Sequence, residues 1–288
     1  MYYTYAMTKS ILKIAVISIF LSFAGLAVFY FGLKMWGTWH DEWSGYNAGQ
    51  YVSDGYCNIA VVPIDGEITT FPYVYEDGTD LGPVTTNISD TMYLLGRAES
   101  DPNIRGILTL IDSGGGSPAG SQFITEGLKN SSMPTVAYIL DIGASGAYLI
   151  ATGADTIIAN PFADVGSIGI SMSYLDNTKQ NKDSGLEFIS LSSGKFKDSG
   201  TPDKPLTAEE RALFERDLKM SHEEFVKEVA ENRKLPIEDV AKLADGSTLP
   251  ASLALEHKLI DAVGSREDVR AWFAKQLDMA TDEVVFCE

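Results

Sequence analysis

The sequence predicts an α/β fold of crossover units behind a single N-terminal transmembrane helix. Three observations lead there: a long apolar run near the start, a threefold recurrence of strand, glycine turn and helix, and acidic charge confined to the chain beyond the apolar run.

The apolar run is Ile11 to Leu33 (ILKIAVISIFLSFAGLAVFYFGL), and its only charge is Lys13. At 1.5 Å per residue a helix of that length covers the roughly 30 Å hydrocarbon core of a bilayer. A cleaved signal peptide has an apolar region of only about 7–15 residues, ending at a small-residue site. Here Phe29, Tyr30, Phe31, Trp36 and Trp39 crowd the far end as an interfacial belt, so an uncleaved anchor is expected. Lys9 and Lys13 lie on the N-terminal side without an acid, and Asp41 and Glu42 follow on the other. The positive-inside rule then puts residues 1–10 in the cytoplasm and everything after Trp36 outside, in a single-pass protein of the cell membrane.

Beyond His40 stand 19 basic and 40 acidic residues, a net charge of −21. Long-range repulsion from phosphates excludes nucleic acid as a partner and keeps the domain off an anionic lipid surface. Cys57 and Cys287 sit at opposite ends of the exported part. They can be joined if the domain's ends meet, or remain as two thiols, and the sequence leaves both open. Neither has histidines around it, so a metal site has no support.

Residues 34–57 read as a linker, 58–275 as one globular domain and 276–288 as a tail. The domain opens with a β-rich run, Ile59 to Ile64, closed by the Asp65-Gly66 turn signal. A helix follows over Asn87 to Glu99, then a buried parallel strand over Gly106 to Ile111, a glycine turn at Asp112 to Gly116 and a helix over Ala119 to Lys129. Val136 to Leu140 is a second buried strand running into Gly143 to Tyr148 and a further helix, and Thr156 to Ala159 repeats the strand. In the last third, Thr207 and Glu210 form a capping box, and Phe214, Leu218, Phe225 and Val229 make one apolar stripe on a long helix.

Chemistry concentrates in three glycine-flanked segments, DSGGGS at 112–117, GASGAY at 143–148 and VGSIGI at 165–170. Each lies at or just beyond the end of a predicted strand, where loops converge and glycine lets backbone amides approach a reacting atom. No G-x-G-x-x-G with a following acid is present, nor a Walker sequence, and the serine of GASGAY lacks the final glycine of a nucleophile elbow. His40 sits at the membrane edge, and His222 and His257 fall on charged helical stretches. A serine hydrolase here therefore needs another base, and a desolvated lysine can serve.

IDSGGGS at 111–117, ASGAY at 144–148, ANPFADVGSIGI at 159–170 and SGKFKDSGTPDKPLTAEER at 193–211 together resemble, in order, the signal peptide peptidase A (protease IV) family, half-length type. The likeness runs from about Ile59 to Phe273. It implies a Clp-protease/crotonase-like fold built from repeated β-β-α units. It also implies Ser145 as nucleophile, Lys197 as general base, Ser167 as the hydroxyl that orients the lysine, and the amides of Gly116 and Gly146 as the oxyanion hole. No cofactor is implied.

Taken alone, these residues have plainer readings. A serine in a glycine turn is usually a turn former, a lysine in a polar stretch is usually solvated, Ser167 can be a turn residue and Asp112 can simply hold its turn. Strand alternation would put Lys195 and Lys197 on one face with Phe196 on the other, so pattern does not choose between the two lysines. Gly114 replaces the family's proline and loosens the first glycine turn. Ala147 replaces a glycine after the serine. Leu249-Pro250 and His257-Lys258 stand near usual glycines in a segment read as structural.

The function expected from the resemblance is a membrane-anchored serine endopeptidase that degrades released signal peptides and other membrane-proximal peptides, with small or apolar side chains near the scissile bond. It would work as a homo-oligomeric ring whose subunits share active sites. The rivals are an idle peptide-binding scaffold and a crotonase-type acyl-thioester enzyme. The acidic charge and exported placement disfavour the polyanionic coenzyme A that the second needs.

Overall fold

The computed structural model describes residues 53–71 and 85–287. The expected anchor at 11–33 and most of the linker lie outside these residues. Among the described residues no helix is long and apolar enough to cross a membrane.

The domain is a mixed α/β sheet fold. Strands β1 (Ile59–Thr69), β2 (Thr85–Asn87), β3 (Gly106–Gly116), β4 (Thr135–Ala144), β5 (Thr156–Ala159) and β8 (Ala262–Val263) run parallel in the order β2-β1-β3-β4-β5-β8. Three short strands extend the sheet. β6 (Asp164–Gly166) pairs parallel with the end of β4, β7 (Thr248–Pro250) pairs antiparallel with β6, and β9 (Phe286–Cys287) pairs parallel with the start of β1.

The helices are α1 (Ile88–Ser100), α2 (Pro118–Lys129), α3 (Gly146–Ala151), α4 (Thr178–Asp183), α5 (Ala208–Arg233), α6 (Ile237–Leu243), α7 (Ala251–Glu256) and α8 (Arg266–Leu277). Side chains alternate across a strand, so one apolar run feeds two cores. Ala60, Val62, Ile107 and Ala137 join α1, α2, α3 and α5 on one face. Ile59, Val61, Leu108 and Val136 meet Val269 and Phe273 of α8 on the other. Burial on both faces is why these strands read as continuous apolar runs.

Two strands outrun the sequence expectation. β1 passes straight through Asp65-Gly66, and β3 continues through its glycines to Gly116. A bulge between Asp65 and Glu67 lets both strands keep pairing, so the turn dipeptide becomes a kink inside a strand. The predicted capping box forms: the Thr207 side chain accepts from the Glu210 amide, and the Glu210 carboxylate from the Thr207 amide. Of the predicted stripe, Phe225 and Val229 are buried, while Phe214 and Leu218 on the first half of α5 are only partly covered.

The C-terminal stretch separated as a tail instead joins the sheet through β9, and Cys287 is disulfide-bonded to Cys57. The domain's two ends meet, which settles the open question about the cysteines.

Between Ser171 and Leu206 the chain forms an arm with one short helix, α4, that buries no residue. Leu175, Leu186, Ile189 and Leu191 on this arm are 80%, 64%, 73% and 96% exposed.

Candidate active site

Ser145 sits between the end of β4 and the start of α3. Its φ of 52° and ψ of −124° lie where a residue bearing a Cβ is strained. Two hydrogen bonds hold the strained turn. The Ser145 amide donates to the Gly166 carbonyl at 2.7 Å, and the Ser145 carbonyl accepts from the Leu149 amide at 3.0 Å. The serine side chain caps nothing in α3 and lines a cavity of about 590 Å³.

The glycine turn of β3 lies directly against this serine. Gly115 has a φ of +100°, and a Cβ there would stand 2.8 Å from both the Gly146 nitrogen and the Ser145 Cβ. At Gly146 a Cβ would overlap the Ser121 hydroxyl and lie 3.5 Å from the Gly116 nitrogen. At Gly116 it would overlap the backbone of Ile68. The backbones of 115–116 and 145–146 are therefore packed too closely for any side chain between them, and Gly116 and Gly146 both line the cavity. Ser113 ties this turn down, donating to the Gly66 carbonyl at 2.5 Å and accepting from the Gly115 amide at 3.1 Å.

Ser167 follows the Gly166 that holds the Ser145 turn. It has a positive φ of 50°, and its hydroxyl donates to the Gly246 carbonyl at 2.9 Å. Lys197 does not line the cavity. It is exposed on the arm, in a run of turns at Lys195–Gly200, with its amide donating to the Gly194 carbonyl at 3.1 Å. Lys195 is paired with Glu209 at 2.6 Å and sits 5.2 Å from the Phe196 ring centroid. Both lysines sit in turns and neither is on a strand, so strand alternation does not relate them. One chain thus brings Ser145, Gly116 and Gly146 together, joins Ser167 to them through backbone, and leaves Lys197 elsewhere.

The cavity also has lining that no motif announced: Glu67 from β1, Gln122 from α2, and Glu224 and Glu228 from α5. Burial holds the Glu228 carboxyl above its usual range, with Glu224 adding in the same direction and the Gln122 hydrogen bond opposing. Their sequence distances span most of the domain, so only the fold assembles them. Among the described residues no group of acids, histidines and cysteines is arranged to hold a metal.

Residues 127–280 match the profile of Peptidase family S49, a span that includes Ser145, Ser167 and Lys197. A putative protease of Methanocaldococcus jannaschii is 32% identical over 67% of this chain and 62% of its own length. A putative protease of Synechocystis sp. is 35% identical over 62% of this chain and 65% of its own. A putative signal peptide peptidase SppA of Enterococcus faecium is 27% identical over 66% of this chain and 56% of its own. The aligned part thus spans about 60% of these relatives' lengths. A solved ClpP1 mutant from Listeria monocytogenes aligns over 75% of this chain and 94% of its own, at 16% identity and a TM-score of 0.48. With more than half of its length inside the S49 profile, the chain belongs to peptidase family S49.

Proposed function

We propose that the protein is a membrane-anchored serine endopeptidase with a Ser145–Lys197 dyad, acting on released signal peptides and other membrane-proximal peptides. The observation that carries this reading is the strained Ser145 turn lying against the Gly115–Gly116 backbone at the mouth of a cavity. The Ser145 hydroxyl attacks the scissile carbonyl and passes its proton to the neutral Lys197 amine, and the amides of Gly116 and Gly146 take the developing oxyanion. Collapse expels the amine product, which receives that proton, and leaves an acyl-enzyme. Water then attacks the ester, gives its proton to Lys197, and the proton returns to Ser145.

A lysine serves as base only when desolvated or beside other cations, and in a single chain Lys197 is exposed. The arm that carries it also exposes a row of large apolar side chains. Both observations favour a homo-oligomeric ring in which the arm of one subunit covers its neighbour and delivers Lys197 to the neighbour's Ser145. The expected localisation remains a single-pass cell-membrane protein with this domain outside the cytoplasm.

The test is peptide turnover by Ser145→Ala, by Lys197→Ala and by the two co-assembled. Each variant alone is expected to be inactive. In a mixed ring a site is intact when a Lys197→Ala subunit supplies serine and a Ser145→Ala neighbour supplies lysine, so random mixing restores roughly a quarter of the activity. Turnover by either variant alone would sink the dyad. An inactive mixture would sink the sharing of sites.

A further inference from the structure

The cavity beside Ser145 has a chemical character that the expected taste for small or apolar side chains does not use. Three carboxylates line it, Glu67 from β1 and Glu224 with Glu228 from α5, and among the described residues no lysine, arginine or histidine does so. Glu224 and Glu228 are four residues apart on α5, hence neighbours on one helical face. Apolar side chains, Leu149, Ile170 and Phe225, line the same cavity as these carboxylates and the serine.

We infer that this cavity selects peptides carrying a lysine or arginine side chain close to the scissile bond, with Glu224 and Glu228 as the residues that read the charge. The inference rests on the peptidase reading above and names the substrate class of that same site. A lining that combines apolar surface with carboxylates suits these side chains, whose methylene stem buries while the cationic head stays with polar groups. The cations beside Glu228 and Glu224, Lys129 and Lys227, are both exposed. Glu228 accepts from the neutral Gln122 amide at 2.7 Å, while nearby Lys129 donates to Asn232 at 2.7 Å. Glu224 is paired with Lys227 at 2.9 Å, but both are at least half exposed, a class of pair that contributes little and yields to a better-placed cation. Glu126 also faces Glu228 and adds negative charge. Burial together with like charge on Glu228 is relieved when a cation enters. The net −21 of the chain beyond His40 attracts such peptides over longer range.

The experiment uses the full-length protein and matched peptides that differ only in lysine against norleucine, or arginine against citrulline, at each position flanking the cleaved bond. At one position at least, the cationic peptide is expected to have a kcat/KM about tenfold higher at low salt, with the advantage shrinking as ionic strength rises. Glu224→Gln/Glu228→Gln is expected to bring the ratio within about threefold of unity, since it removes two of the three charges. The ratio within one preparation is independent of how much protein is folded. Equal or better turnover of the neutral peptides by the wild type, or an unchanged ratio in the double variant, overturns the inference. Binding of the same peptide pairs to Ser145→Ala by calorimetry reads the preference without chemistry. A cationic preference there combined with no turnover by the wild type would keep this inference and sink the peptidase reading. Turnover without any charge preference would do the reverse.

Discussion

Replacing Ser145 with glycine is expected to make the domain more stable while abolishing turnover. The backbone at 145 has a φ of 52° and a ψ of −124°, and conformations of this kind cost a residue with a Cβ about 1–3 kcal/mol. Glycine removes that cost but gives the unfolded chain more freedom, which takes back roughly 0.4–1 kcal/mol. The net gain is about 1 kcal/mol, or a rise in Tm of about 2–4 °C for a domain of this size. Ser145→Ala keeps the Cβ and therefore the strain, and it deletes a hydroxyl that makes no capping bond to α3, so its Tm should stay within about 2 °C of the wild type. Melting curves of the three proteins under one set of conditions, alongside peptide turnover, make the comparison. If the glycine variant melts at or below the alanine variant, the turn is not strained, and the argument that the fold spends stability to present this serine collapses.

Other perturbations follow from the same structure. Gly116→Ala drives a methyl into the Ile68 backbone, which the β1–β3 ladder holds, so it should cost about 3 kcal/mol or more in denaturant titrations, whereas Gly114→Ala meets nothing within 4 Å and should change stability by less than about 1 kcal/mol. Opening the Cys57–Cys287 bridge frees a loop closed over 230 residues, and chain entropy puts the loss near 5 kcal/mol, so a Tm drop of roughly 10 °C in reductant is expected; an unchanged Tm would mean the unfolded chain does not feel the link. The Glu210 carboxyl is held down to about 2, first by the Lys204 ammonium and then by the Thr207 amide. Because its folded pKa lies below the unfolded one, its stabilisation is complete above about pH 4.5 and disappears as pH falls from there toward 2. Unfolding free energies of Glu210→Gln should therefore be flatter than the wild type's across that window.

The glycine segments were legible because each carries a local demand: a Cβ at Gly115, Gly116 or Gly146 would overlap neighbouring atoms, and that restriction is visible in the residue types. The capping box at Thr207 and the strand at Thr156–Ala159 were legible for the same reason, since both are set within a few residues. Features decided by distant partners were not. Asp65-Gly66 looks like a turn, yet pairing with β3 carries the strand through it. The last residues look like a tail, yet β1 and Cys57 capture them. Lys195 and Lys197 carry a pattern suited to a strand but sit in a run of turns. Glu67, Gln122, Glu224 and Glu228 share no motif, so their meeting around one cavity is a property of the fold alone.

The Ser145 amide hangs from the Gly166 carbonyl, Gly166 is paired with Thr248, and both the Ser167 amide and hydroxyl are tied to residues 246–247. The posture of Ser145 is thus propped from behind by a short strand more than a hundred residues downstream. A proteolytic nick or partial melting around 246–250 would release that prop before the main sheet opens, silencing the enzyme while most of it stays folded. Its amide proton is a built-in sentinel for that event: its exchange with solvent should quicken in step with lost activity, ahead of amides in the middle of β3 and β4.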